Sequence, residues 1–135
     1  MMKKIFTILL VTLCVNQVFG KHGFLVPSQC LQVGQLVDSP NNCFRLSMQS
    51  DGNLVIYRNS NGAALWSSQT PGICAKEACM QLDGNFVVYD CQNRARWSSG
   101  TPNGRRSELA LQNDGNLVIY AGNDVTWASN SQTHC

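Results

Sequence analysis

Three copies of one short segment fix most of what this chain can fold into. MQSDGNLVIY at 48–57 returns as MQLDGNFVVY at 80–89 and as LQNDGNLVIY at 111–120. Gln49, Gln81 and Gln112 follow one another at intervals of 32 and 31 residues, and Trp66, Trp97 and Trp127 at intervals of 31 and 30. All three tyrosines and all three tryptophans of the chain stand at equivalent repeat positions. Repetition at this period means stacked or symmetry-related units that share one core.

Each unit reads as β structure. Apolar and polar residues alternate, β-branched and aromatic residues are frequent, and Asp-Gly separates two such runs, which predicts antiparallel strands joined by a hairpin. In the first unit FRLSMQ forms one strand, SDG the tight loop and NLVIY the return, with Gly52 supplying the positive φ of the loop. A second turn at Asn61-Gly62 leads to a third strand ending at Trp66. The period of two then sorts the side chains: Gln49 shares a face with Asn53, Val55 and Tyr57, while Leu54 and Ile56 turn the other way. Leu54, Ile56, Phe86, Val88, Leu117 and Ile119 are the expected core, packed around a pseudo-threefold axis. The tryptophans, one strand away from the polar face, read as structural, and WSSQTPG, WSSGTPN and WASNSQT after them as polar linkers between units.

The repeated polar face carries the chemistry. For one copy the structural explanation would suffice, since Asp-Gly makes turns and Tyr favours strands. Three copies change the balance, because a fold alone would accept Thr, Ser, Lys or Arg for Gln and Phe or Val for Tyr. The retained set suits a neutral polyol: Gln and Asn each donate and accept, Asp accepts hydroxyl protons, Tyr gives or takes one bond, and Val offers an apolar surface to ring carbons. Metal and cofactor are not expected, because each unit repeats one carboxylate and lacks the dense oxygen shell of a calcium site.

Residues 1–20 read as a secretory signal: Lys3 and Lys4, then an apolar run from Ile5 to Val15 too short to span a bilayer, then Val18, Phe19 and Gly20. The expected mature domain is 21–135, secreted and extracellular, with no membrane insertion. Without Lys3 and Lys4 the formal charge falls from +2 to 0, and Arg105-Arg106 is the lone basic doublet, far from the cationic face that nucleic acid requires. Cys14 leaves with the signal. Cys30, Cys43, Cys74, Cys79, Cys91 and Cys135 form an even set that reads as disulfides, with the connectivity open. Zinc is a poor reading, since no C-x-x-C occurs and His22 and His134 lie near the mature termini.

Gln49-x-Asp51-x-Asn53-x-Val55-x-Tyr57, Gln81-x-Asp83-x-Asn85-x-Val87-x-Tyr89 and Gln112-x-Asp114-x-Asn116-x-Val118-x-Tyr120 resemble the signature of the bulb-type, snowdrop-like monocot mannose-binding lectins. The resemblance runs from about Phe24, where FLVPSQCLQVGQLVDSPNNCFRL is similar to the family's opening strands, to about Ser129. It implies an all-β fold, a β-prism of three four-stranded antiparallel sheets, with the tryptophans in the centre and one mannose pocket per sheet. It also implies roles: Asp and Asn on the axial O2 hydroxyl, Gln on O3, Tyr on O4, and Val against the ring. The asparagines Asn53, Asn85 and Asn116 are accordingly expected to bond sugar without supporting the core.

The sequence departs from that family at Gly52, Gly84 and Gly115, because snowdrop-type lectins carry a cysteine between Asp and Asn of their first motif. Their usual disulfide does not carry over, although Cys43 sits where one partner would. Pairing Gln81 with Asn85 brings Cys91 nearly opposite Cys74, so Cys74–Cys91 is the expected bridge of the second unit. Cys30–Cys43 would then clip the first two strands, leaving Cys79 and Cys135 to pair together or across a homodimer.

The expected function is a secreted, noncatalytic lectin for mannose-containing glycans and glycoproteins, serving recognition or defence. A glycosidase would need two carboxylates roughly 5 to 9.5 Å apart about one bond. Asp51, Asp83 and Asp114 fall on different sheets, and Asp90 points away from Tyr89. The alternative is a lectin-fold interaction or inhibitor module that binds no sugar, against which stand three undecayed motifs.

Overall fold

The computed structural model describes residues 23–135. The expected signal segment, Cys14 and His22 lie outside the described residues. The order of elements is β1 (Phe24–Leu25), β2 (Cys30–Gln32), β3 (Leu36–Asp38), β4 (Phe44–Met48), β5 (Leu54–Arg58), β6 (Ala64–Ser67), β7 (Ala75–Met80), β8 (Phe86–Asp90), β9 (Ala95–Ser98), β10 (Glu108–Leu111), β11 (Leu117–Ala121) and β12 (Asp124–Ala128). They form three four-stranded antiparallel sheets, β3-β4-β5-β6, β2-β7-β8-β9 and β1-β10-β11-β12. This is the expected prism. Among the described residues no helix is long and apolar enough to cross a membrane.

Each repeat contributes three consecutive strands, and the fourth strand of every sheet comes from the short segment before the first repeat. That segment visits the sheets in reverse: β1 joins the third unit, β2 the second and β3 the first. Residues 24–38 thereby tie all three units together, which no single repeat can do for itself.

The two-residue period sets the core. Leu46, Leu54, Ile56, Met80, Phe86, Val88, Leu111, Leu117 and Ile119 are buried on the inner faces. In each unit a bulge precedes the motif tyrosine: Ile56 pairs with Trp66 and Tyr57 with Ala64, which leaves Leu65 as the extra residue. The same shift recurs between Val88 and Tyr89 and between Ile119 and Tyr120. It keeps each tryptophan opposite an inward residue while re-aiming the strand beyond it. Trp66, Trp97 and Trp127 meet edge-to-face, with ring centroids 5.3, 5.6 and 5.5 Å apart. They are half-buried, closing one end of the core beneath an open cavity of about 360 Å³.

Two expected disulfides are corrected. Cys74–Cys91 is present, but Cys30 joins Cys79 and Cys43 joins Cys135. The reason is the strand order: β2 pairs with β7, which sets Cys30 directly opposite Cys79, and not with β4. The C-terminal tail folds back on the first unit, where Arg58 Nη2 donates to Thr133 Oγ1 at 2.7 Å, and this brings Cys135 to Cys43.

Candidate functional site

The three motifs occupy the outward faces of the three sheets, each around the turn that joins β4 to β5, β7 to β8 or β10 to β11. The turn is closed twice by backbone bonds: Asn53 O accepts from Gln49 N at 3.0 Å, and Gln49 O accepts from Gly52 N at 3.1 Å. Gly52 has φ +94°, and a Cβ there would stand 2.8 Å from the Thr70 carbonyl oxygen, so the turn accepts glycine and little else. The aspartate completes it, Asp51 Oδ1 accepting from Asn53 N at 2.9 Å, with the same bond at Asp83 and Asp114. One carboxylate oxygen is thus engaged by the turn, while the other oxygen of the exposed aspartate has no protein partner among the described residues.

The motif side chains repeat one pattern of burial: Gln half-buried, Asp exposed, Asn half-buried, Val buried and Tyr half-buried, in all three units. Val55, Val87 and Val118, at 3%, 2% and 3% exposure, form the floor. Above them Gln49 Nε2 donates to the hydroxyl of Tyr57, as Gln81 does to Tyr89 and Gln112 to Tyr120. That bond leaves the glutamine carbonyl as an acceptor and the tyrosine O–H as a donor, both directed by their mutual contact. The sequence brings all fifteen of these residues together as three five-residue clusters, and no cluster shares a residue with another.

The asparagines differ from expectation, because they also belong to the scaffold. Asn53 Oδ1 accepts from Ser68 Oγ at 3.3 Å and from Thr70 N at 3.2 Å. Asn85 is held the same way by Ser99 and Thr101, and Asn116 by Ser129 and Ser131. Those hydroxyls return to the turn: Thr70 Oγ1 donates to Gly52 O at 2.7 Å, and Ser68 Oγ accepts from Leu54 N at 3.0 Å. With its carbonyl occupied, each asparagine presents its amide N–H₂ outward as a donor. The segments after the tryptophans, read from sequence as linkers, are therefore supports of the site. Their signal was present in the chain, since Trp-x-Ser-x-Thr at 66–70 and 97–101 and Trp-x-Ser-x-Ser at 127–131 share the tryptophan period.

Asp90 is not part of any such cluster. It is buried on the inner side of β8, accepting from Gln92 N at 2.9 Å, Arg94 N at 3.0 Å, Arg94 Nε at 2.9 Å and Arg96 Nη1 at 3.2 Å. The backbone N–H of Arg94 leads these donors in lowering its pKa from 3.8 to about 2, against the opposing effect of burial. A carboxylate so held is a poor general acid, and it stands away from the three motif aspartates. Cys30, Glu77 and Cys79 gather three metal-capable groups, but the two sulfurs are joined to each other and cannot ligate as thiolates.

No protein-family model matches the chain. Its structure is similar to that of a monomeric monocot mannose-binding lectin from Gastrodia elata, with TM-score 0.73 and 35% identity, covering 83% of this chain and 100% of that one. It is similar also to the mannose-specific agglutinin of snowdrop (Galanthus nivalis) bulbs, solved with methyl-α-D-mannoside, with TM-score 0.68 and 33% identity over 83% of this chain and 99% of that one. In sequence it is 37% identical over 73 residues to the B-type lectin plumieribetin of Scorpaena plumieri. That match spans 54% of this chain and 62% of the relative's length.

Proposed function

The chain belongs to the bulb-type mannose-binding lectin family, and on that premise we propose that it is a noncatalytic lectin binding terminal mannose through three pockets, one per sheet. The observation that carries the reading is the threefold recurrence of one donor and acceptor set: asparagine amide outward, one free aspartate oxygen, and a coupled glutamine and tyrosine over a buried valine. An axial hydroxyl would receive a bond from the Asn53 amide and give its proton to Asp51. Neighbouring equatorial hydroxyls would meet the Gln49 carbonyl and the Tyr57 hydroxyl, and ring carbons would rest on Val55. Units two and three would act alike, through Gln81, Asp83, Asn85, Val87 and Tyr89 and through Gln112, Asp114, Asn116, Val118 and Tyr120.

The donor set supports metal-independent binding, since each pocket has one carboxylate and that carboxylate is already half used by its own turn. Three disulfides support an oxidising, extracellular compartment, and the balanced charge suits neutral glycans. Single shallow polar sites bind weakly, so three outward faces on one prism would act through avidity on glycoproteins or cell surfaces, in recognition or defence. Titration with methyl-α-D-mannoside, with and without EDTA, tests this: three equivalents should bind in both conditions, and the galactoside, whose C2 hydroxyl is equatorial, should not compete. Binding that disappears in EDTA and returns with calcium would overturn the mechanism.

A further inference from the structure

The second unit carries a charged group that its two counterparts lack. The residue after the motif tyrosine is Arg58, Asp90 or Ala121, and the extra residue of the bulge is Leu65, Arg96 or Thr126. Ala63 in the first unit stands where Arg94 does in the second, each carbonyl accepting from the N–H of the residue after the tyrosine. Unit two alone therefore combines a buried carboxylate, Asp90, with two guanidiniums, Arg94 and Arg96.

The acceptor capacity of Asp90 is fully used. Oδ1 takes the N–H groups of Gln92 and Arg94, and Oδ2 takes Arg94 Nε and Arg96 Nη1, which fills the lone-pair sites of a carboxylate. Its side chain is 3% exposed, whereas those of Arg94 and Arg96 are 64% and 40% exposed. Each guanidinium spends one nitrogen on Asp90, and its remaining N–H groups have no protein acceptor among the described residues. Together with Ile73, Cys74 and Cys91, these three residues line a cavity of about 330 Å³ that shares no residue with the three motifs. The walls of this cavity are tied together. Cys74 is bridged to Cys91 and accepts from its backbone N–H at 2.8 Å, while Gly72 N anchors the neighbouring segment on Asp51 O at 2.7 Å.

We propose that this cavity is an anion site, taking one singly charged oxyanion group of an acidic sugar, a sulfate ester or a carboxylate, against the outward N–H groups of Arg94 and Arg96. One guanidinium would neutralise Asp90. The second is in excess, so the cavity carries one uncompensated positive charge, which matches a single negative charge on the ligand. Guanidinium forks bond the paired oxygens of such groups two at a time. Asp90, with no acceptor site left, is a positioning residue: it fixes both arginines beforehand and so lowers the side-chain entropy lost when they close on a ligand. The inference uses none of the motif residues and stands apart from the mannose reading.

Nuclear magnetic resonance titration of the isotope-labelled chain with galactose 6-sulfate, galacturonate and galactose tests it, since the three differ only at C6. The N–H resonances of Arg94 and Arg96 should shift saturably with one or both acids and not with galactose, and the affinity should fall as sodium chloride is raised. The tighter acid identifies the group the site takes. In Arg94→Gln/Arg96→Gln, with circular dichroism unchanged, affinity should drop about tenfold or more, the worth of one charge-assisted bond. Asp90→Asn separates positioning from charge: removing an anion would by itself tighten binding, whereas losing the anchor should weaken it. Tighter binding in that variant would remove the positioning role. Shifts at Arg105 and Arg106 instead, equal response to galactose, no saturation by either acid, or undiminished affinity in the double variant would overturn the site, and the first three readouts need only the native chain.

Discussion

Ser68 Oγ donates to the side-chain carbonyl of Asn53 at 3.3 Å while accepting from the backbone N–H of Leu54 at 3.0 Å, so one buried hydroxyl joins the outward pocket to the inward core strand. Ser99 and Ser129 make the corresponding bonds in the other units.

Ser68→Ala should therefore affect both stability and binding. It strands the Leu54 N–H and leaves the Asn53 carbonyl held by the Thr70 N–H alone, with a cost of about 1 to 3 kcal/mol. Denaturant unfolding should record that loss, and mannoside titration should lose the first pocket while retaining two. Unchanged stability with three intact sites would show that the hydroxyl supports neither.

Trp97→Ala should act on all three pockets at once. Its ring meets Trp66 and Trp127 edge-to-face and also Phe86, with centroids 6.1 Å apart in the last case. Removing a packed aromatic costs about 3 to 5 kcal/mol, comparable to the margin of a small domain. Near-ultraviolet circular dichroism and titration should fall together. Loss of the second pocket alone in a stable protein would place this tryptophan at a binding face.

Asp90 predicts an acid-side dependence. Its carboxyl is lowered from 3.8 to about 2 in the folded chain, so the unfolded state binds the proton more readily. The stabilisation is present in full above about pH 4 and is lost as pH falls through about 2. Unfolding midpoints between pH 5 and 2 should decline more steeply for the native chain than for Asp90→Asn. Parallel curves would remove this carboxylate from the acid response.

The bridges should differ in worth. Cys43–Cys135 spans 92 positions and Cys74–Cys91 spans 17. Chain entropy gives about 4.5 kcal/mol for a loop of the larger size and about 3 for the smaller. Replacing both cysteines of a bridge by serine should thus lower the unfolding midpoint more for Cys43 and Cys135. Peptide mapping under non-reducing conditions should recover Cys30–Cys79 and not Cys30–Cys43.

Whatever depends on local period is legible in the chain alone. Alternation at 44–58 placed Leu54 and Ile56 inward and Gln49, Asn53, Val55 and Tyr57 outward, because in a strand each side chain's face follows from its own position. The repeat of about 31 residues then gave three such sheets and three such faces. The fourth strands were beyond that reading. β1, β2 and β3 are two or three residues long, and no local pattern says which unit each will join. That choice is made by edge pairing between distant segments, and with it came the bridges Cys30–Cys79 and Cys43–Cys135. The support of Asn53 by Ser68 and Thr70 is likewise tertiary, since bonds across 15 and 17 positions exist only once the third strand has folded back beside the second.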